Sequence, residues 1–306
     1  MGAQPFGPKG GRKMAEEGEE EEVQQPEALT TELITGGLKT LAKTVDGTGF
    51  ALTHFELPDS NVGDIEALAG YKHLRYLSMP GNAISDLKPL SGIEFMLSLD
   101  VSRNALVNVE LPSLAYLQVL NLAGNKLKAV QGMVMPMLRH LDMSGNELET
   151  VGGLEGNPAL EVLLLHDNKL TSSDGLGLGS LKKITLTGNQ IANVAGLAGL
   201  VGVEELDLTG NAVEDLAGLP AEGKIAKLNL QGCKVDAVEK LDALAEIKTL
   251  KELSLLENPV MEGFDRVKAV RRVASLEILN DAPVTEEEKK AAEEPEEPPE
   301  PAAEPA

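Results

Sequence analysis

The chain has 306 residues and a formal net charge of −22, because 49 Asp and Glu stand against 27 Lys and Arg. That charge disfavours nucleic acids and anionic membranes as partners, since phosphate-rich surfaces are bound through clusters of Lys and Arg. The single cysteine excludes an internal disulfide bond. Apolar residues make up 42% of the chain but aromatic residues only 3%, which favours a core of small repeated units over an enzyme core packed around aromatic rings.

Residues 1–28 form an acidic segment that we expect to be disordered. Three basic residues against seven Glu give 3 − 7 = −4, and such a composition cannot bury enough apolar surface to fold. The segment lacks the apolar stretch of a secretory signal, and no run in the chain reaches the ~18 apolar residues of a membrane helix. We therefore expect a soluble protein of a reducing compartment.

Residues 29–49 are predicted to form a helical cap that covers the first repeat. Thr30 or Thr31 can serve as the N-cap, although Gly36–Gly37 weakens the helix. The apolar side of this helix would carry Leu33, Ile34, Leu38 and Leu41.

Residues 50–262 repeat one phrase that fits L-x-x-L-x-L-x-x-N/C-x-L, the leucine-rich-repeat pattern. The steps between successive Asn slots are 22, 22, 21, 21, 22, 21, 22, 22 and 25 residues. We therefore predict an α/β fold, a leucine-rich-repeat solenoid shaped as a curved horseshoe, with about ten repeats, parallel strands on the concave face and helical caps. The Asn slots are Ser60, Asn82, Asn104, Asn125, Asn146, Asn168, Asn189, Asn211, Cys233 and Asn258.

Each slot of the repeat has a physical reason. The x-L-x-L segment alternates with period two, which predicts a short strand with Leu pointing inward. Glycine precedes six of the Asn slots, as at Gly81 and Gly232, where we expect a positive φ. The Asn amide both donates and accepts, so it can pair buried backbone groups of adjacent coils. Cys233 is interpreted as a structural substitution in that slot rather than a reactive thiol.

The short repeats leave room for little more than 3₁₀ turns on the convex side, as in SDLKPL and EDLAGL. The longer last step contains DAVEKLDALAEIKTL, which could form a true helix. Residues 263–284 are predicted to be the C-terminal cap, a helix with Val267, Val270 and Val273 on one face, with Phe264, Leu276 and Leu279 sealing the last coil.

Residues 285–306 form a Glu/Pro-rich tail that we expect to be disordered. Two Lys against nine Glu give 2 − 9 = −7, with almost no apolar bulk. The tail can be a solubility device, or a segment that becomes ordered against a basic partner.

No catalytic, cofactor-binding or metal-binding motif is found. His140 and Asp142, or His166 and Asp167, could imitate a base–carboxylate pair, but no nucleophile or oxyanion donor accompanies them. We therefore expect a protein that is not an enzyme and needs no cofactor, metal or small-molecule substrate.

The outward strand positions are free to vary and predict a protein-binding concave face. Its centre is more apolar than its ends, which indicates a protein contact, although isolated surface apolar residues are also common. The predicted partner-binding residues are Tyr76, Asp100, Val119, His140, Asp142, Val162, Leu164, His166 and Asp207. A basic face on the C-terminal cap is either a solvated helix face or a patch for an acidic partner, and carries Arg266, Lys268, Arg271 and Arg272.

The region before the repeats resembles the leucine-rich repeat-containing protein 23 family, a radial-spoke component of motile cilia and flagella. The resemblance rests on Leu29–Thr30, Gly37–Leu38, Lys43–Thr44, the Val62-x-Asp64-Ile65 step and the tetrad His73–Leu74–Arg75–Tyr76. It continues through Asn258–Pro259 and Arg266 to Leu276–Leu279 and the acidic tail, and so covers roughly residues 27–300.

This resemblance implies a non-enzymatic structural subunit of the axonemal radial spoke that supports spoke assembly and regulates ciliary or flagellar motility. The implied partners are other radial-spoke proteins, and the implied location is the cytoplasm, the cytoskeleton and the axoneme of the cilium or flagellum. Two alternatives remain open: a regulatory module of a protein phosphatase, or another cytoskeletal leucine-rich-repeat adaptor.

Overall fold

The structure is a computed structural model that describes residues 25–110, 114–130 and 132–294. The predicted disorder of residues 1–24 and 295–306 therefore lies outside the described residues. The end of the first segment, also expected to be disordered, is ordered, because Glu27–Ala28 pairs as a strand with Val62–Asp64. The α-helices are α1 (Thr31–Gly37), α2 (Arg266–Arg272) and α3 (Glu286–Glu293). The strands are β1 (Glu27–Ala28), β2 (Leu38–Lys43), β3 (Phe50–Glu56), β4 (Val62–Asp64), β5 (Tyr76–Ser78), β6 (Ser98–Asp100), β7 (Val119–Asn121), β8 (Ala129–Val130), β9 (His140–Asp142), β10 (Thr150–Val151), β11 (Val162–Leu164), β12 (Lys183–Thr185), β13 (Glu205–Asp207), β14 (Lys227–Asn229), β15 (Glu252–Ser254), β16 (Ile278–Leu279) and β17 (Ala282–Pro283).

One sheet of thirteen strands runs through the described part of the chain, in the order β17-β16-β15-β14-β13-β12-β11-β9-β7-β6-β5-β3-β2. Its pairing is parallel from β3 to β16 and antiparallel only at the two ends, β2–β3 and β16–β17. The middle leucines of neighbouring strands stand opposite one another, as with Leu77, Leu99 and Leu120. These leucines are buried, which confirms the predicted solenoid with its parallel strands.

The Asn slots form a continuous ladder of hydrogen bonds between coils. Asn146 shows the pattern: its Oδ1 accepts from Leu127 N of the preceding coil at 3.1 Å, and its Nδ2 donates to Leu122 O and Met143 O at 3.0 Å each. The amide therefore pairs backbone groups that would otherwise be buried without partners.

The backbone before each slot turns with a positive φ, as the sequence predicts. Gly81 has φ 68° and Gly232 has φ 64°, and Arg103 and Asp167 adopt the same conformation without glycine's freedom. In the slot without an amide, Cys233 is 4% exposed and its Sγ donates to Leu208 O at 3.3 Å. Burial raises the pKa of this thiol, which supports the structural interpretation of Cys233.

The N-terminal end differs from the predicted helical cap. Thr30 Oγ1 does accept from Leu33 N, but α1 ends at Gly37. Leu38 and Leu41, predicted on the helix, lie in β2, which pairs with β3 across the turn 44–49. Glycine at position 37 allows the chain to pass close to β3, because a Cβ there would lie 2.6 Å from Phe55 Cε2.

The convex side carries 3₁₀ turns, at Glu66–Gly70, Lys88–Gly92, Ala195–Leu197, Val238–Leu244 and Pro259–Met261. The expectation for SDLKPL is met by the turn at Lys88–Gly92, whereas EDLAGL forms other turns. The longer last repeat does not form the expected α-helix: Val238–Leu244 is a 3₁₀ segment. Leu241 and Leu244 remain buried in that geometry, so the tighter turn still fills the core.

The C-terminal end is closed by two helices where the sequence predicts one. α2 buries Val270, and Leu276 and Leu279 close the last coil as expected. Part of the expected disordered tail is ordered, because Glu286–Glu293 forms α3 and packs against α2. Thr285 begins α3 with a capping box, in which its Oγ1 accepts from Glu288 N and Glu288 Oε2 accepts from Thr285 N.

Candidate protein-interaction surface

The outward side chains of the sheet form two columns on the concave face. The first column holds the first residue of each three-residue strand, and the second column holds the third. The first column reads, in order along the sheet, His54, Tyr76, Ser98, Val119, His140, Val162, Lys183, Glu205, Lys227 and Glu252. The register therefore brings the predicted residues Tyr76, Val119, His140 and Val162 onto one line.

The second column is largely committed to local turns. Asp100, Asp142 and Asp207 each accept a hydrogen bond from the backbone N–H two residues further on, at 3.0, 2.9 and 2.9 Å. Such a side chain fixes the bend that ends its strand. These three predicted contact residues therefore have a structural role, which the sequence interpretation did not include.

The centre of the face is less exposed than the sequence suggests. Val162, Leu164 and His140 are half-buried rather than exposed. His166 Nδ1 lies 3.5 Å from Thr185 Oγ1 of the neighbouring strand. Val119 is the most exposed of the predicted central apolar residues, at 40%. The apolar character of the face increases from here towards the N-terminal end.

The largest exposed apolar side chains of the sheet belong to the β2–β3 hairpin, which sequence reasoning missed. Phe50 is 68% exposed and Leu41 is 66% exposed. Leu41 stands opposite Leu52 across the hairpin, on the same outward side as His54, because Thr53 and Phe55 point inward. The first repeat predicts a strand within FALTHFE, but nothing in the repeat pattern predicts its antiparallel pairing with β2.

These residues continue directly into the first column. The rings of His54 and Tyr76 stack with centroids 4.2 Å apart. We call the continuous surface of Leu41, Phe50, Leu52, His54 and Tyr76 the N-terminal strip. It extends the concave face by one hairpin beyond the repeats.

A hollow of about 460 Å³ opens beside the N-terminal strip, where the hairpin turn meets the chain just before β5, β6 and β7. Phe95 and Tyr116 stand in tilted ring contact on one side, with centroids 5.5 Å apart. The hollow is lined by Lys43, Thr44, Val45, Arg75, Phe95, Leu97 and Tyr116.

The hairpin turn that borders the hollow is held by a small polar network. The Thr44 and Thr48 hydroxyls and the Thr48 N–H donate to the Asp46 carboxylate, which lowers the pKa of Asp46 to about 2. Arg75 Nη2 also donates to Lys43 O at 2.7 Å, which ties the turn to the second coil. The turn is therefore ordered without an apolar core of its own.

The C-terminal half of the first column is a row of compensated charges. Lys227 Nζ lies 3.3 Å from Glu205 Oε1 and 3.7 Å from Glu252 Oε2, and these carboxylates raise the pKa of Lys227. Opposite charges on adjacent strands neutralise one another there, so this half offers a partner little net charge and little apolar area.

The basic face predicted on the C-terminal cap is bound by the chain itself. Arg266 Nε lies 2.7 Å from Glu288 Oε1, and Arg266 Nη1 donates to Leu279 O at 2.7 Å. Arg271 donates to the carbonyls of Ala291 and Ala292 at the end of α3.

Arg272 Nη1 contacts both carboxylate oxygens of Asp242, at 2.7 and 2.6 Å. Of the four predicted residues, Lys268 is exposed. The start of the chain's own tail therefore contacts Arg266 and Arg271, whereas Arg272 pairs with Asp242 of the last repeat.

The described ranges contain no group of three or more His, Cys, Asp or Glu side chains able to hold a metal ion. Among those same residues, no helix has the length and apolar character needed to cross a membrane.

Comparison with known proteins agrees with the repeat pattern. A family model described as "Leucine Rich repeat" matches residues 134–155. The chain is 34% identical over 98 residues to leucine-rich repeat-containing protein 23 of Bos taurus, and 33% identical over 101 residues to the same protein of Homo sapiens. Each match covers 29% of the relative and 32% or 33% of this chain, so the chain spans under a third of the length of the curated relatives it matches. The resemblance seen in the sequence is confirmed over that part.

Solved structures with the same fold include bacterial repeat proteins. An internalin of Listeria monocytogenes superposes with a TM-score of 0.50 at 17% identity, covering 81% of this chain and 88% of that one. A leucine-rich-repeat protein of Leptospira interrogans gives a TM-score of 0.52 at 22% identity, covering 71% of this chain and 63% of that one. At these identities the likeness shows the fold alone.

Proposed function

We propose that this chain, a leucine-rich-repeat protein similar to leucine-rich repeat-containing protein 23 over about a third of its length, is a non-enzymatic structural subunit of the axonemal radial spoke. In this role it holds neighbouring spoke proteins together through its concave face, and so supports spoke assembly and ciliary or flagellar motility.

The observation that carries the proposal is the N-terminal strip. Leu41 and Phe50 are each about two-thirds exposed, and Leu41 lies on β2, whose outer edge has no neighbour in the described sheet. An exposed apolar patch beside aromatic rings is typical of protein contacts, and an unpaired strand edge can accept a further strand.

The scaffold suits a load-bearing assembly. In a solenoid each coil contacts only its neighbours, so a break in one coil weakens the stack locally while the intact stack keeps a fixed length. The ladder from Asn82 to Asn258 joins every coil to the one before it through backbone groups, with Cys233 in one slot. Binding sites on this face are therefore held at constant spacing.

The test is fractionation of axonemes from ciliated cells that carry the tagged chain in place of their own. We expect the chain to remain with the axoneme after detergent extraction and to co-migrate with spoke particles after salt extraction. The double variant Leu41→Ser/Phe50→Ser should fold normally and lose most of this incorporation. Val201→Ser alters an apolar residue that is 47% exposed outside the sheet, and should incorporate normally. A chain found only in the detergent-soluble pool would contradict the proposal.

A further inference from the structure

The hollow beside the hairpin turn combines apolar walls with two cations. We propose that it receives an acidic segment of a partner protein, with an apolar side chain seated against Phe95, Leu97 and Tyr116 and flanking carboxylates on Lys43 and Arg75. This inference deepens the proposed function, on which it rests, by naming the chemistry of the partner at one end of the concave face.

The apolar side of the hollow is suited to one large side chain. Tyr116 is 43% exposed and Val45 is 50% exposed, so both retain area to bury. The volume of about 460 Å³ exceeds that of a single side chain, which leaves room for the main chain of an extended segment. Aromatic rings held against each other, as Phe95 and Tyr116 are, lose little further freedom when a ligand binds.

The charge of the hollow is opposite to that of the whole chain. Elsewhere on the surface several lysines pair with carboxylates, as Lys88 does with Glu110 and Lys169 with Glu147. In the part of the chain that the structure describes, Lys43 and Arg75 form no ion pair, and no carboxylate lines the hollow. Two cations left without carboxylates in a protein of net charge −22 favour an acidic ligand.

The geometry of Arg75 fits a carboxylate. Its Nη2 is held by Lys43 O at 2.7 Å, so the guanidinium is oriented before a ligand arrives. The planar group keeps further N–H donors for one carboxylate, in the two-bond arrangement that arginine favours. Lys43 adds a second, more mobile charge at the rim.

Other occupants fit these observations less well. A nucleic acid needs more than two cations. A second copy of the chain would bring Lys39 and Lys43 of its own edge strand against the same charges, together with a further net charge of −22. The continuity of the hollow with the N-terminal strip places it beside the surface proposed to bind spoke proteins.

The probe is a fluorescein-labelled peptide of sequence EELFEE, titrated with the full chain and followed by fluorescence anisotropy. The comparison peptides are KKLFKK, with reversed charge, and EESGEE, without apolar anchors. We expect EELFEE to bind at least about tenfold more tightly than either. Its binding should weaken several-fold when salt is raised from about 0.05 to about 0.5 M, because the Debye length, about 10 Å at 0.1 M, shortens as salt is added.

Variants localise the binding. Arg75→Glu, Lys43→Glu and Tyr116→Ser should each weaken EELFEE by about tenfold or more, with unchanged melting temperature for the exposed Lys43. Arg139 occupies the position of Arg75 three coils later, so Arg139→Glu is the matched control and should bind normally. Equal binding of the three peptides, or binding indifferent to these variants, would overturn the inference.

Two further outcomes would also overturn the inference, because they would assign the hollow to another occupant. One is a large gain in peptide affinity when the six glutamates of residues 16–22 are changed to glutamine, which would identify the chain's own N-terminal segment. The other is a dimer, seen by sedimentation, that Arg75→Glu dissociates. Peptide failure with normal axonemal incorporation removes only this inference, whereas peptide binding without incorporation removes the proposed function.

Discussion

The first and last coils of the sheet face the same physical problem, since each exposes apolar side chains that a further coil would have covered. The C-terminal end covers them with α2 and α3, which are joined by the half-buried pair of Arg266 and Glu288. The N-terminal end covers its core with a hairpin but leaves Leu41 and Phe50 in solvent. We call the C-terminal end, which the chain itself covers, the closed end. We call the N-terminal end, which presents surface that a partner can cover, the open end.

The ion pairs of the two ends show the same contrast. Arg266 and Glu288 keep 28% and 20% of their side chains exposed, whereas Lys39 and Glu56 keep 52% and 49%. Exposed pairs contribute little stability, while breaking a more buried pair leaves a charge without a partner. The ion pair of Arg266 and Glu288 therefore stabilises the C-terminal end, whereas that of Lys39 and Glu56 contributes little to the stability of the N-terminal end.

The largest expected effect concerns the hydrogen-bond ladder at the closed end. Asn258 is 5% exposed, its Oδ1 accepts from Val235 N at 2.9 Å and its Nδ2 donates to Leu230 O at 2.6 Å. Asn258→Ala should lower the free energy of unfolding by about 3 kcal/mol in urea titrations, because several buried backbone groups lose their partners.

The matched variant at the open end is Asn82→Ala. Asn82 makes the corresponding bonds to Ser60 N, Val62 N and Leu57 O but is only half-buried, so water can replace part of them. We expect a loss of about 1 kcal/mol. Equal losses for the two variants would show that the ends are equally closed.

The second prediction removes Arg266, the residue of α2 that pairs with Glu288 of α3 at the C-terminal end. Arg266→Ala takes away the bond to Glu288 and those to the carbonyls of Leu279 and Ala282. We expect a loss of about 2 kcal/mol and faster hydrogen exchange in α3, while exchange in β2 and β3 stays the same. Unchanged exchange in α3 would mean that the helix is held by other contacts.

The third prediction concerns binding at the open end. Phe50→Ser and Tyr76→Ser should leave the free energy of unfolding within about 0.5 kcal/mol of the parent, because both side chains are exposed. Each should reduce incorporation into axonemes, measured by quantitative immunoblotting against a spoke marker. Full incorporation of both variants would remove the N-terminal strip as a contact surface.

The fourth prediction concerns the pH dependence of the packing of α3 at the closed end. The bond from Arg266, followed by that from the Thr285 N–H, holds the pKa of Glu288 below its ordinary value of 4.5. A carboxyl with a lowered pKa stabilises the folded state above its ordinary pKa, and that contribution is lost as the pH falls through the lowered value. We expect α3 to lose exchange protection as the pH falls below about 4.5, and Arg266→Ala to reduce this pH dependence to the part that the Thr285 N–H maintains. Protection of α3 that is constant down to pH 2 would contradict it.

The smallest expected effect is that of the exposed pair at the open end. Lys39→Ala removes the ion pair with Glu56 and should change the free energy of unfolding by less than about 0.5 kcal/mol, because solvent screens both charges. A loss comparable with that of Arg266→Ala, in the same urea titrations, would erase the contrast between the two ends.

The repeats could be predicted from the sequence because each of their features is local. A leucine at every second position and a polar amide at a fixed step determine strand, turn and ladder within one coil. The positive φ of Gly81 and the slot of Asn146 followed from that pattern. Of the predicted contact residues, Tyr76 and Val119 lie exposed on the concave face.

The ends could not be predicted in the same way because their structure depends on distant residues. The stretch LITGGLKTLAK has the spacing of a helix, but its second half pairs with β3 as a strand. Arg272 meets Asp242, thirty residues earlier, and no periodicity links the two. The capping box of Thr285 and Glu288 was readable in the sequence, although the composition of the tail favoured disorder.

The most direct test of the open end is hydroxyl-radical footprinting of the chain alone and within the assembled complex isolated from axonemes. The account predicts that oxidation of Phe50, Tyr76 and Tyr116 falls on assembly, whereas Met137, exposed outside the sheet, and Phe264 of the C-terminal cap are oxidised as in the free chain. Protection confined to Phe264 and Met137, with the N-terminal rings unchanged, would contradict the central claim.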